Sequence, residues 1–372
     1  MQARINKLIQ LMGDYELSGI ALNPGPTLTY LTGLHFHLME RPTVLMITAQ
    51  GKIALVLPAL EAGKLAESLV PIEAFTYSDD PETRPEAFYR AAEFLELAGT
   101  DFGVEATRMR YLELMYLGDV LPELGFLDGS ACLAGLRMIK DEIELEKMRQ
   151  AAHIAQTALL ATLKGLRAGM TEKEVANQLI IQLLRAGSEP DLPFAPIVSF
   201  GENTANPHSV PTDRALRPGD LLLVDWGASC DGYLSDITRT FTFGEVDPEL
   251  HQIGEIVNRA NRAGRSAGRS GVAAGAIDRA ARAVIEAAGY GEAFIHRTGH
   301  GLGLEAHEEP YIYDTNTQEL LSGMTFTVEP GIYLPGKGGV RIEDDVVVTE
   351  NGLESLTDLP RQMLPLEDYM AL

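Results

Sequence analysis

Residues 221–243 read LLLVDWGASCDGYLSDITRTFTF, two β-prone runs either side of the turn-forming cluster Ser229-Cys230-Asp231-Gly232. Folded as an antiparallel hairpin about the midpoint of that cluster, between Cys230 and Asp231, the segment sets Asp225 directly opposite Asp236. Their Cβ atoms would then stand roughly 4.5–5.5 Å apart. Two carboxylates so placed repel each other and raise each other's pKa. A cation between them removes that penalty, and nothing purely structural rewards the pairing otherwise.

The same symmetry returns in residues 325–348, TFTVEPGIYLPGKGGVRIEDDVVV, where Glu329 and Glu343 are equidistant from Gly336 in the turn cluster Pro335-Gly336-Lys337-Gly338-Gly339. A second hairpin there brings a second acid pair together. Two divalent cations would balance the four carboxylates, and an open position on each favours a bound, deprotonated water. Acids are common in this chain: 53 acidic against 30 basic residues give a net charge of −23. Most are therefore solvated surface groups, a reading that suits Asp247, Glu249 and Glu319 in their polar turns. It does not suit Asp225, which ends the apolar run 221–224, or Glu329, which follows Phe326-Thr327-Val328. An acid at the end of an apolar strand ordinarily has a partner.

His296 and His300, in HRTGHGLG, share the i, i+4 spacing of the HExxH zinc helix. Gly299, Gly301 and Gly303 argue against a helix, and residue 297 is Arg where that motif has Glu. On an extended strand the same spacing puts both rings on one face. His208, in NPHSVPTD, and His307, in EAHEEP, lie in turn-like segments as candidate donors to a developing oxyanion. His35, His37, His153 and His251 have no such context and are read as structural.

The chain of 372 residues is 45 % hydrophobic and 22 % charged, the composition of a globular protein with room for two domains. The acidic balance excludes nucleic acid and anionic membrane as partners. No apolar run approaches the ~18 residues of a membrane span. The first residues lack the apolar core of a signal peptide, and Cys132 and Cys230 give no disulfide framework, so the cytoplasm is expected. Helical and strand patterns alternate throughout, which predicts an α/β (α+β) chain. In the first part helices are expected over 5–15, 58–69, 85–97 and 108–120, with a strand at 101–105 and a hairpin over 43–57. The pattern lapses at 129–132, dividing the chain into 1–130 and 131–372. A long amphipathic stretch then follows, and Thr171 with Glu174 marks a capping box for a helix ending at Gly187.

Several segments, NPHSVPTDRALRPGDLLLVDWG, YLSDITRTF, HRTGHGLGLEAHEEP, GMTFTVEPGIY and GVRIEDDVVV, closely resemble the methionine aminopeptidase/prolidase superfamily of metallopeptidases. LRMIKDEIELEKMRQA resembles the opening of the catalytic domain in its Xaa-Pro peptidases, and ALNPGPTLTYLTGL their creatinase-like N-terminal domain. The resemblance implies a creatinase-like α/β domain followed by a pita-bread catalytic domain, in a homodimer. It implies two divalent metal ions (Mn, Co or Zn) on Asp225, Asp236, His300, Glu329 and Glu343. It makes His208, His307 and Glu329 catalytic, Glu329 as proton shuttle, and puts His296 and Arg341 in the substrate pocket. The implied activity is hydrolysis of the Xaa-Pro bond at the N-terminus of dipeptides or short peptides. A peptidase or amidohydrolase of other specificity is the alternative, and a metal-stabilised binding protein without catalysis a more distant one. Arg41, in HFHLMERP, is a weak candidate for a substrate carboxylate clamp.

Overall fold

The hairpin expected over 43–57 forms the middle of a six-stranded sheet in the computed structural model, which describes residues 1–96, 101–122 and 125–370. The chain divides into two compact units, Met1–Arg137 and Met138–Leu372.

In the first unit, strands β1 (Gly19–Leu22), β2 (Val44–Thr48), β3 (Ile53–Pro58), β4 (Glu73–Tyr77), β5 (Asp101–Val104) and β6 (Gly125–Asp128) lie in the order β4-β3-β2-β1-β5-β6. Every residue of β1, β2 and β3 is buried, which is why those runs are continuously apolar rather than alternating. Helices α1 (Gln2–Asp14), α2 (Pro26–Thr32), α3 (Arg84–Leu95), α4 (Tyr111–Val120) and α5 (Ser130–Arg137) complete the unit.

Three local expectations change. Residues 58–69 form 3₁₀ turns over Ala59–Glu67 instead of an α-helix, and none of those residues is buried. A short helix depends on packing an apolar face, and this segment buries no residue fully. Leu97, the end of the helix expected over 85–97, lies outside the described residues. The expected lapse at 129–132 is the start of α5, which buries Cys132, Leu133 and Leu136; Lys7 Nζ donates to Leu136 O at 2.9 Å, tying α5 to α1. The boundary expected near residue 130 therefore falls at the head of a helix that belongs to the first unit.

The second unit opens with α6 (Glu142–Leu163) and α7 (Glu172–Ala186), each started by a capping box, Asp141 with Glu144 and Thr171 with Glu174. Gly187 ends α7 at φ 105°, a conformation that favours glycine. These helices cover a three-stranded sheet, β7 (Ile197–Phe200) beside β8 (Asp220–Trp226), with the tip pair β9 (Ser229–Cys230) and β10 (Tyr233–Leu234) leading back along β11 (Ile237–Phe243). Helices α8 (Pro248–Ala267) and α9 (Gly275–Ala287) follow. A five-stranded sheet contains β12 (Gly299–Gly301), β13 (Glu308–Ile312), β14 (Thr325–Val328), β17 (Asp344–Val348) and β18 (Leu353–Ser355), and the hairpin β15 (Gly331–Leu334) and β16 (Gly338–Arg341) lies between β14 and β17 in the chain. Helix α10 (Leu366–Met370) closes the described chain.

The two-residue period of β8 and β11 decides what the site receives. Leu222, Val224 and Trp226 join Ile237 and Phe241 in the core under α6 and α7, where Trp226 Nε1 donates to Ala155 O at 2.8 Å. The opposite face carries Asp225, Thr238 and Thr240. Asp236 has the same parity and shares that face. Asp225 and Asp236 are not direct cross-strand partners, however: Asp225 pairs with Thr238, and Tyr233 with Cys230. The turn is centred between Asp231 (φ 49°) and Gly232 (φ 78°), one residue further along than expected. Asp-Gly is the sequence best suited to two successive positive φ angles. A one-residue shift of the turn moves the register by two, so the acids become diagonal neighbours on one face instead of opposites.

For the second pair the register is the expected one. Gly331 pairs with Arg341, and on the far side Val328 pairs with Asp344, so Glu329 and Glu343 stand opposite each other between the two ladders.

Candidate metal centre and substrate cavity

Glu343 joins the two sheets: its N–H donates to Thr238 O at 3.1 Å, and Thr238 Oγ1 donates to Glu343 Oε2 at 2.6 Å. That bridge brings Asp225 and Asp236 from one hairpin up to His300, Glu329 and Glu343 from the other sheet. Candidate ligand atoms of Asp236, His300 and Glu343 all lie within 4.8 Å of one another, and all three residues are buried. His300 Nε2 is 3.4 Å from Glu329 Oε1 and 3.8 Å from Asp236 Oδ2.

Two features say what the cluster suits. First, burial pushes the carboxyls of Asp236 and Glu343 well above the usual range, reinforced by the neighbouring acids, and pushes Glu329 up to about 7. Second, the His300 ring is neutral, its pKa driven down by burial and by His307. Its Nδ1 lies 3.2 Å from Gly301 O, so Nδ1 carries the proton. The Nε2 lone pair is thereby turned toward the acid groups of Glu329 and Asp236, leaving an imidazole acceptor and two carboxyls disposed around one point as a set of metal ligands. Asp225 Oδ1 is buried without a hydrogen-bond partner among the described residues. This donor set, four carboxylates and one neutral imidazole, fits divalent cations.

Supports lie behind it. Arg341 Nη2 donates to Asp225 Oδ2 at 2.6 Å, Nε to Thr238 Oγ1 at 3.0 Å and Nη1 to Tyr333 OH at 2.8 Å. His296, held neutral by burial with its pKa lowered to about 4, places Nδ1 2.7 Å from Arg297 O and Nε2 2.8 Å from Tyr333 OH. A carbonyl only accepts, so Nδ1 is the donor and Nε2 accepts from the Tyr333 hydroxyl. Both ring nitrogens of His296 and three N–H groups of Arg341 thus have partners within the protein. Both line the cavity, as expected of pocket residues; Arg341 also braces Asp225 directly, and His296 does so through Tyr333.

All of the candidates His208, Asp225, Asp236, His296, His300, His307, Glu329, Arg341 and Glu343 line one cavity of about 720 Å³. His307 packs edge-on to His300, ring centroids 4.0 Å apart, and is held below the ordinary histidine range by burial and the Arg297 charge. His208 is exposed on the wall. An apolar side built from Phe194, Ile197, Pro207, Val210 and Pro211 completes the cavity. Sequence reading missed that side, and it missed Tyr333 and Arg297. Nothing in their local patterns marks them, because they converge from four separate segments. Arg41, in the first unit, is paired with Glu40 and Asp79.

A buried acid cluster with one neutral imidazole, opening into such a cavity, is a candidate divalent-metal centre with room for a ligand beside it. Comparison with known proteins carries this further. The model of metallopeptidase family M24 matches residues 146–350, and that of the creatinase/prolidase N-terminal domain matches residues 4–139. The probable dipeptidase PepE of Mycobacterium tuberculosis is 39 % identical over 94 % of this chain and 92 % of its own. Among solved structures, the dipeptidase from Pyrococcus horikoshii OT3 superposes with TM-score 0.91 at 40 % identity, covering 97 % of this chain and 99 % of that one. The prolidase from Thermococcus sibiricus superposes with TM-score 0.92 at 35 % identity, covering 98 % of each. The chain belongs to metallopeptidase family M24 and carries a creatinase/prolidase N-terminal domain ahead of the catalytic one. It is a peptidase that uses divalent metal, which sets aside the non-catalytic alternative. No helix among the described residues is long and apolar enough to cross a membrane.

Proposed function

We propose that this enzyme hydrolyses the Xaa-Pro bond at the amino end of dipeptides or short peptides, with two divalent cations of the Mn, Co or Zn kind held by Asp225, Asp236, His300, Glu329 and Glu343. The observation that carries the metal assignment is the His300 Nε2 lone pair facing Glu329 and Asp236 at 3.4 and 3.8 Å. When bound, the cations supply Lewis-acid polarisation of the scissile carbonyl and ionise water near neutral pH. The chain's own groups do the rest. Glu329, a buried carboxyl on the cavity wall, accepts the proton of the attacking water and delivers it to the departing proline nitrogen. His307, neutral because its pKa is lowered, offers a ring N–H to the carbonyl oxygen as negative charge develops there. His208, on the same wall, is placed for the same role. Arg341, fixed by Tyr333 and Thr238, keeps Asp225 aimed at the cluster. The apolar side of Phe194, Ile197 and Val210 suits a pyrrolidine ring, which has no N–H to satisfy once it is part of the peptide bond.

A second reading is a dipeptidase of the same chemistry without a proline requirement, favoured by relatives whose names say dipeptidase alone. One assay separates them. With Mn²⁺ or Co²⁺ added, Ala-Pro and Leu-Pro are turned over faster than Ala-Ala and Leu-Ala. Equal rates support the second reading, and no turnover of any of the four by protein with two bound metals overturns both.

A further inference from the structure

Glu172 is the first residue of α7, directly after the Thr171 cap, and its side chain is fully buried. A carboxylate taken out of water needs donors inside the protein. Here both oxygens find them on one stretch of chain. Oε1 accepts from Phe200 N at 2.7 Å and Asn203 Nδ2 at 2.9 Å, and Oε2 accepts from Thr212 N at 2.8 Å and Thr212 Oγ1 at 2.5 Å. The first turn of α7 adds to the second of these anchors: Lys173 N donates to Thr212 O at 3.2 Å, and Glu172 N to Arg214 O at 3.1 Å. Beside the first anchor, Thr204 Oγ1 donates to Gly201 O at 2.6 Å.

Between the two anchored ends lies Asn-Pro-His-Ser-Val-Pro, residues 206–211. Among the described residues, the backbone of 207–211 is hydrogen-bonded only to Asn206: His208 N donates to Asn206 Oδ1 and Ser209 N to Asn206 O, each at 3.2 Å. Pro207 and Pro211 bracket this stretch and have no N–H to give. A loop with so few bonds of its own takes its position from its ends. Residues 207–211 all line the cavity, His208 among them, whereas the hydrogen bonds of Glu172 reach only the ends of the loop.

We infer that Glu172 is a positioning residue for His208: its carboxylate draws the two ends of the loop together and so fixes where the imidazole stands in the cavity. This rests on the reading in which His208 donates to the carbonyl oxygen. Glutamine at 172 keeps the volume and one accepting oxygen but turns N–H groups toward the donors at the other position. Either Phe200 N or Thr212 N then loses its acceptor, and that end of the loop is released.

The test is a double-mutant cycle on the Mn²⁺-loaded enzyme, with kcat for Leu-Pro as the readout. Glu172→Gln is expected to lower kcat by about ten- to a hundred-fold, since a misplacement of about 1 Å is enough for that. In a His208→Ala background the same substitution should change kcat by less than about three-fold, because the group it positions is already gone. An unchanged kcat in Glu172→Gln overturns the inference, as does an equal loss in both backgrounds, which would make Glu172 merely structural. Thr212→Val, which removes one of the four bonds, decides by the same cycle if Glu172→Gln does not fold; a loss of about two- to ten-fold is expected there. A readout without turnover uses metal-free protein with ¹³Cε1-labelled histidine. The His208 signal, assigned by its absence in His208→Ala, should shift or broaden in Glu172→Gln while that of His251 on α8 stays put. A His208 signal identical to wild type, or one that moves only together with His251, overturns the inference. If wild type hydrolyses no dipeptide, or His208→Ala leaves kcat unchanged, the catalytic reading fails instead, and the histidine spectra still decide for or against Glu172.

Discussion

A histidine lone pair aimed at two acids is the detail on which the metal assignment turns, and it makes a prediction opposite in sign for the metal-free and metal-loaded protein. Asp236 is 5 % exposed, and burial together with Glu343 and Asp225 makes its ionised form costly. Asp236→Asn removes a charge the metal-free protein does not want, at nearly constant volume. The variant's metal-free thermal midpoint should therefore equal or exceed that of wild type. Added Mn²⁺ should raise the wild-type midpoint and leave the variant's nearly unchanged, and hydrolysis should fall by about three orders of magnitude or more. Differential scanning fluorimetry with and without EDTA checks this. A variant that is destabilised without metal, yet stabilised by Mn²⁺ as wild type is, would show that Asp236 serves the fold and not the cation.

At the scale of elements, the two hairpins explain both how much could be read in advance and what escaped. Acids placed symmetrically about turn clusters were visible because the strand period is two and the turn residues are distinctive. The Glu329–Glu343 register came out as expected, since Gly336 alone suits the centre of its turn, at φ 76°. The first hairpin slipped because a four-residue cluster was treated as symmetric, whereas Asp231-Gly232 alone holds the positive φ angles; the face survived because the slip was even. The Thr171–Glu174 capping box was legible for the same local reason. The apolar wall, Tyr333 and Arg297 were not legible, since their meaning exists only where distant loops meet. Glycine imposes a harder constraint on β12. A Cβ at Gly299 would stand 1.8 Å from Thr327 O, so β12 can lie against β14 only with glycine there. Gly299→Ala must push the strand that carries His300 away from the acids. It should cost about 1–3 kcal/mol of stability and weaken Mn²⁺ binding measured by isothermal titration. Unchanged affinity in a destabilised variant would mean that His300 is not a ligand.

For the molecule as a whole, the buried acids and the net charge of −23 tie stability to pH. Glu329 rises from an ordinary 4.5 to about 7 on folding, and Asp236 and Glu343 rise as well. A carboxyl whose folded pKa exceeds its unfolded one binds more protons in the native state. Its contribution favours folding at low pH and is lost as pH climbs from the unfolded value to the folded one. Glu329's own contribution to the metal-free enzyme should accordingly be lost between about pH 4.5 and 7, on the order of 3 kcal/mol. The neutral rings of His296, His300 and His307, with folded pKa values below the unfolded 6.5, contribute in the opposite sense as pH rises toward 6.5. Asp344 works in the other direction: Arg239 and Arg361 overcome its burial and hold it at about 2, so its contribution disappears only as pH falls from 3.8 toward 2. Bound cations keep the acids ionised, so the loaded enzyme should gain stability over the same window and release protons on loading. Surface repulsion among the excess acids also grows with pH, but it is screened by salt while the buried cluster is not. Urea titrations of metal-free protein from pH 4.5 to 7.5, in low and high salt, separate the two. A wild-type-minus-Glu329→Gln stability difference that falls as pH rises and survives high salt locates the contribution in the cluster, whereas a difference that is flat with pH, or abolished by salt, would overturn it.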